Sequence, residues 1–148
     1  MISLFQACFG LLLLCGVALG REAIVLGSSG LVGSLVLEHL VSDPLWDAIH
    51  VVVRRPGGNV HDKVHEVIVP NLKQMETNPD LLKLARRASA IDSAIVTLGV
   101  NDGFGWTAQE FVDVDVLLPS IFAKYCHERL GVKYISLLSM VGAERGNP

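Results

Sequence analysis

Seven residues near the start of the chain, Gly27-Ser28-Ser29-Gly30-Leu31-Val32-Gly33, restrict what it can fold into more than any other stretch. They follow a short strand-like run, Glu22 to Leu26. They open a segment in which Leu31, Val32, Leu35, Val36 and Leu40 recur at helical spacing until Asp43-Pro44 ends it. Three glycines at G-x-x-G-x-x-G spacing, set where a strand turns into a helix, answer three separate demands. Gly27 permits a sharp turn, Gly30 has no Cβ to hold an approaching anion away from the backbone, and Gly33 lets the helix pack close to the sheet. The first helical turn then offers free N–H groups and the positive end of a dipole, so the loop reads as a cradle for a pyrophosphate.

The remaining pattern alternates. Ile49 to Val53 is a β-branched run broken by Pro56-Gly57-Gly58, and Val64 to Val69 is a third strand stopped by Pro70. Asn78-Pro79 supplies an N-cap and a proline at the first helical position for a helix over Asp80 to Ala88. Ser93 to Leu98 is a fourth strand, followed by a loop to Gly105. Thr107 and Glu110 form a capping box for a helix reaching Arg129, kinked near Pro119, with Gly131 beyond its end. Tyr134 to Leu138 is the fifth strand, apolar on both faces as expected of a strand covered by helices on each side. Strands and helices alternating in this way imply an α/β fold with a doubly wound parallel sheet, of five strands in the order 3-2-1-4-5.

Composition closes other routes. With 148 residues, 51% hydrophobic and 18% charged, the chain is too apolar for disorder and long enough for one core. Twelve basic against 15 acidic residues leave a net −3 with no basic run, which argues against nucleic acid as a partner. Cys8, Cys15 and Cys126 form neither a disulfide framework nor a zinc spacing.

The end of the second strand bears on which dinucleotide fits. An NAD site places Asp or Glu there to hold the ribose hydroxyls. This chain places Arg54 and Arg55 there, 21 and 22 positions after Gly33, where a guanidinium can pair bidentately with a 2′-phosphate and no neighbour in sequence is a carboxylate. NADP(H) is therefore favoured over NAD(H).

The glycine loop, Val51 to Arg55, Thr97-Leu98-Gly99, Phe111-Val112-Asp113 and the run Gly131 to Ala143 together resemble atypical short-chain dehydrogenase/reductases, most of all the branch of Tat-interactive-protein oxidoreductases. The resemblance covers nearly all of Ala23 to Gly146. It implies a Rossmann fold, NADPH binding, and either reductase chemistry or a cofactor-sensing role with a protein partner. By position it sets Leu98 and Gly99 beside the adenosine half of the cofactor, Leu72 near the adenine, and Ser139 at the family's catalytic serine. The family's chemistry also needs Tyr-x-x-x-Lys on a helix after the fifth strand. Tyr125 is followed by Arg129 and Tyr134 by Leu138, and both precede that place. On this reading residues 21–148 are a cofactor-binding half without the catalytic half. The fifth strand would have a bare outer edge, open to self-association or a protein partner.

Other constellations read more simply. His61 and His65, with Asp62 and Glu66 beside them, share a face only on a helix, and Val64 to Val69 reads as strand, so a metal is not favoured. Asp113 and Asp115 lie two apart on a helix and do not face each other. Cys126 reads as a core thiol, and Phe104 and Trp106 equally as a lid or as loop anchors.

From Met1 to Gly20 no residue is charged. The apolar stretch Leu4 to Leu19 is shorter than the roughly 20 residues of a spanning helix and suits a signal-peptide core, with Ala18-Leu19-Gly20 as small cleavage-site residues. The absence of Lys or Arg before it leaves two other readings, a membrane anchor followed by Arg21 or a mis-assigned start. Membrane contact would come only through this leader. NADPH use favours a cytoplasmic body, free or anchored, whereas a true signal peptide would send it to the secretory pathway.

Overall fold

A computed structural model describes residues 20–58, 61–87, 91–100 and 105–139. Strand β1 (Arg21–Leu26) leads into helix α1 (Leu31–Ser42) and strand β2 (Trp46–Val53). Strand β3 (Val64–Ile68), a 3-10 turn (Leu72–Thr77) and helix α2 (Pro79–Ala85) follow. Strand β4 (Ser93–Val96) is succeeded by helix α3 (Ala108–Val112), a π turn (Asp113–Leu117), helix α4 (Leu118–Leu130) and strand β5 (Tyr134–Leu137). All strand pairs are parallel, in the order β3-β2-β1-β4-β5. The expected sheet is the observed one, and β2 begins three residues before the expected Ile49.

Alternation along β1 builds two cores. Ala23 and Val25 point to one face, where with Ile49 and Val51 they meet Val36, Leu37, Leu40 and Val41 of α1. Ile24 and Leu26 point to the other, where Val52, Val67, Ala94 and Val96 pack against Met75, Leu81, Phe122, Tyr125 and Cys126. A strand buried on both faces needs apolar side chains at consecutive positions, which is why Ala23 to Leu26 contains no polar residue.

Helix ends follow local chemistry. The Asn78 side chain accepts from the N–H groups of Asp80 and Leu81 at 3.0 and 3.1 Å and donates to the Ile68 carbonyl at 3.0 Å, tying α2 to the end of β3. Thr107 and Glu110 form the expected reciprocal capping box. The expected kink at Pro119 takes the form of the π turn. Pro119 has no N–H to give the preceding turn, the Leu118 N–H reaches back five residues to the Asp113 carbonyl, and Ser120 Oγ donates to the Val116 carbonyl at 2.6 Å.

Three expectations need correction. The helix over Asp80 to Ala88 ends at Ala85, Ala88 itself lying outside the described residues. The 3-10 turn at Leu72–Thr77 had no periodic signal, being too short to show one. Among the described residues, strand β5 is not covered on both faces: each of its four residues is exposed. Helix α4 packs over Ala94 and Val96 of β4, and α1 sits over β1 and β2, so neither reaches the last strand. The leader, up to residue 19, and Phe104 lie outside the described residues.

Candidate functional site

The glycine loop closes the C-terminal end of β1 against β4. Gly27 adopts φ +95°, and a Cβ there would sit 2.6 Å from the Leu98 nitrogen. A Cβ on Gly33 would lie 2.0 Å from the Gly27 carbonyl oxygen, so α1 can seat on the loop only with glycine at that position. Thr97 Oγ1 donates to the Leu26 carbonyl at 3.2 Å and borders both glycines, fixing β4 to the loop. Gly30 differs. It is the N-cap of α1 in extended conformation, with no side-chain cap, and a Cβ on it would meet nothing closer than 3.4 Å. Protein packing does not demand glycine there. No acidic residue stands in the first turn of α1.

Beside the loop lies a cavity of about 410 Å³. Gly27, Ser28 and Ser29 of the loop line it together with Arg54, Arg55 and Gly57 from beyond β2 and the apolar Leu26, Leu37, Leu72 and Leu98. Seven of the expected residues (Gly27, Ser28, Ser29, Arg54, Arg55, Leu72 and Leu98) thus meet around one space. Both arginines are exposed, and among the described residues no carboxylate pairs with either. The turn that carries them is held from β3: the Glu66 carboxylate accepts from the Gly57 N–H at 3.0 and 3.2 Å. Sequence neighbours alone put no carboxylate near the arginines; the parallel register of β2 and β3 delivers this one to the backbone of their turn. Leu37 and Gly57 were also missed, for they carry no chemical signature of their own.

A second cavity of about 410 Å³ adjoins the first at Leu98 and is lined by Gly99, Val100, Phe111, Asp115, Leu137, Leu138 and Ser139. Here Gly99 and Ser139 are found. Asp115 Oδ1 accepts from the Val100 N–H at 2.9 Å and so fixes the start of the loop after β4. Gly30, Leu31, Val32 and Gly33 line neither cavity. The Leu31 and Val32 side chains at the start of α1 are exposed.

The two aspartates have separate partners. Asp113 bridges Lys73 and Gln109, and the hydrogen bond from Lys73 is the main reason its carboxyl is held below the ordinary range. His61 and His65 are divided between the turn before β3 and the strand itself. His61 Nδ1 accepts from the Lys63 N–H at 3.2 Å, and the His65 ring packs 5.5 Å from that of His50. Cys126 is buried, and burial pushes its thiol up to about 12, which leaves it an inert core residue. Trp106 is about half exposed. Tyr125 is 1% exposed, its hydroxyl has no partner among the described residues, and burial raises its pKa. It belongs to the core.

Sequence reasoning missed one further polar group altogether. At the N-terminal half of the sheet His50 Nε2–H donates to Glu22 Oε2 at 2.7 Å, both side chains being nearly inaccessible, and Arg87 Nη2 lies 3.4 Å from Glu22 Oε1. Burial outweighs the Glu22 carboxylate and holds His50 below its ordinary pKa. The pair ties β1 to β2 at the end of the sheet opposite the cavities.

No family model matches the chain, and no curated protein matches it. Solved structures do. A mutated uronate dehydrogenase superposes with a TM-score of 0.61 at 19% identity, over 82% of this chain and 40% of its own. A short chain dehydrogenase family protein from Francisella tularensis gives 0.64 at 14%, over 86% and 55%. A variant of ElxO with NADPH bound gives 0.65 at 13%, over 87% and 59%. The fold that the chain shares with these structures is the Rossmann fold. The chain spans about 40 to 59% of the length of these structures.

Proposed function

We propose that the chain is an NADP(H)-binding Rossmann domain of the short-chain dehydrogenase/reductase type. The observation that carries the reading is the meeting of Arg54 and Arg55 with the glycine loop across one cavity. The Leu31, Val32 and Gly33 N–H groups at the N-terminus of α1 would receive the pyrophosphate, with Ser28 and Ser29 beside it. The guanidinium groups would receive the 2′-phosphate, and Leu72 and Leu98 would flank the adenosine half. A Cβ at Gly30 would meet only ordinary contact with the Gly27 carbonyl oxygen, so glycine at that position fits a phosphate brought up to the backbone better than it fits a packing demand. When bound, the dinucleotide would supply or accept a hydride. Among the neighbours, ElxO was solved with NADPH and with NADP, and an Agrobacterium uronate dehydrogenase with NAD, so the fold itself admits either.

Ser139, on the second cavity, can offer a hydroxyl to a carbonyl oxygen there. A serine alone does not complete a hydride transfer, which also needs a proton donor. Tyr125 is buried in the core and Tyr134 stands at the far end of β5 from Ser139, outside both cavities. That placement favours, as a second reading, a domain that binds the cofactor as a sensor or adaptor for a protein partner.

Thermal unfolding with saturating NADPH, with NADH and without ligand tests the binding. At 100 times Kd a ligand adds about 2.7 kcal/mol, which moves the midpoint of a domain of this size by on the order of ten degrees. A shift with NADPH that exceeds the shift with NADH is expected. A folded chain whose midpoint neither nucleotide moves would refute the proposal.

A further inference from the structure

The turn that carries the arginines is pinned at both ends. At its start Val53 is held in the ladder, paired with Ile68 and accepting from the Val69 N–H at 2.8 Å. At its far end the Gly57 N–H donates to the two oxygens of the Glu66 carboxylate at 3.0 and 3.2 Å. Glu66 lies in register with Val51. Extended chain from Val51 to Gly57 would run about 20 Å past that register, several times the reach of a glutamate side chain. The bond to Gly57 therefore requires the chain to double back after β2, with Arg54, Arg55 and Pro56 in the reversal between two fixed points. Pro56 has its φ fixed by the ring, whereas Gly57 and Gly58 beyond it have the freest backbone a chain can hold. Without the tie to Glu66 those glycines would let the far end of the turn swivel.

We infer, resting on the NADP(H)-binding reading proposed for the first cavity, that Glu66 is a positioning residue for dinucleotide selectivity. It lines neither of the two cavities described, and it acts through the Gly57 N–H to hold Arg54 and Arg55 at the first. Strand pairing does not require its carboxylate. The ladder between β2 and β3 runs from Ile49 with Val64 to Val53 with Ile68 through backbone groups, whatever side chain stands at position 66. What the carboxylate adds is a charge-assisted bond from a strand, the least mobile kind of element, to a turn rich in glycine. A backbone already set in place spares the arginines part of the ordering cost when they close on a phosphate. Charge makes the inference sharp, because it works in the opposite direction. A carboxylate bonded to Gly57, two residues from Arg55, repels a 2′-phosphate held by that turn. Removing it would strengthen NADPH binding if charge were its whole effect, and weakens NADPH binding if position is what it provides.

The test is calorimetric titration of the full chain, of Glu66→Ala and of Glu66→Gln, each with NADPH and with NADH. Glu66→Ala removes the acceptor, and its NADPH Kd should rise about tenfold while its NADH Kd stays within about twofold of the parent value. Glu66→Gln keeps an accepting oxygen without the charge and should restore most of the margin between the two nucleotides. Should Glu66→Ala fail to fold, Glu66→Val, a residue type that suits a strand, takes its place with the same expectation. Equal weakening of both nucleotides in the alanine variant would make Glu66 a general support of the fold and overturn the inference. Tighter NADPH binding in both variants would leave charge as its only effect and overturn it too, as would a glutamine variant no better than alanine. A parent margin that survives Glu66→Ala would overturn the inference and leave the NADP(H) reading standing. A parent chain with no preference for NADPH would refute both.

Discussion

Two glycines of the loop differ in what packing asks of them, Gly33 being required by the fold and Gly30 being proposed to serve a ligand. Gly33→Ala would drive a Cβ against the Gly27 carbonyl oxygen at 2.0 Å, a backbone atom that cannot move aside without shifting α1. It should cost about 1–3 kcal/mol, read as a lowered unfolding midpoint in the absence of nucleotide. Gly30→Ala meets only ordinary contact and keeps an extended backbone that alanine adopts, so its stability should fall by less than about 1 kcal/mol, the loss of a good N-cap type. Its affinity for NADPH should nevertheless drop by on the order of tenfold, through the methyl group at the phosphate's approach. If both variants lost stability equally, the glycine at position 30 would be a packing residue. His50 gives a pH signature. Burial, against Glu22 and with help from Arg87 and His65, holds its pKa below the ordinary 6.5, so the folded state prefers the neutral ring. The stability this contributes is complete above 6.5 and is lost as pH falls through the lower folded-state value. Denaturant titrations below pH 6.5 should show that loss in the parent chain and not in His50→Gln. A flat profile in the parent would contradict the assignment.

At the scale of elements, some features were legible because a single residue type announces them. Asn78-Pro79 marked the start of α2, Thr107 with Glu110 marked α3, and the β-branched runs marked β2 and β3. Asn78→Ala removes two cap bonds and the donation to Ile68, and should lower stability by about 1–2 kcal/mol in chemical denaturation. Features set by register were not legible. Glu66, paired in register with Val51, reaches Gly57 in the turn beyond β2, and Glu22, paired with Ala48, reaches His50 two residues further on, across gaps that sequence spacing does not measure. The exposure of β5 was misread for a related reason. An apolar strand looks the same whether helices cover it or nothing does, and only the positions of α1 and α4 distinguish the two. The π turn was legible as a disturbance at Pro119 but not as to kind, since a kink and a widened turn both relieve the same missing N–H.

At the scale of the whole molecule, the sheet divides its two ends between different tasks. The C-terminal ends of β1, β2 and β4 gather the glycine loop, the arginine pair and Leu98 around the first cavity, and the end of β5 brings Ser139 to the second. The N-terminal half holds the Glu22–His50 pair and no cavity residue among those in the glycine loop or arginine turn. On the proposed function the first end would select NADP(H) by charge. The most direct measurement is calorimetric titration of the chain and of its Arg54→Ala/Arg55→Ala variant with NADPH and with NADH. The account predicts that NADPH binds the parent about ten- to a hundredfold more tightly than NADH, and that the variant loses this margin while its NADH affinity is unchanged. Equal affinity for the two nucleotides in the parent, or a margin that survives the double substitution, would contradict it.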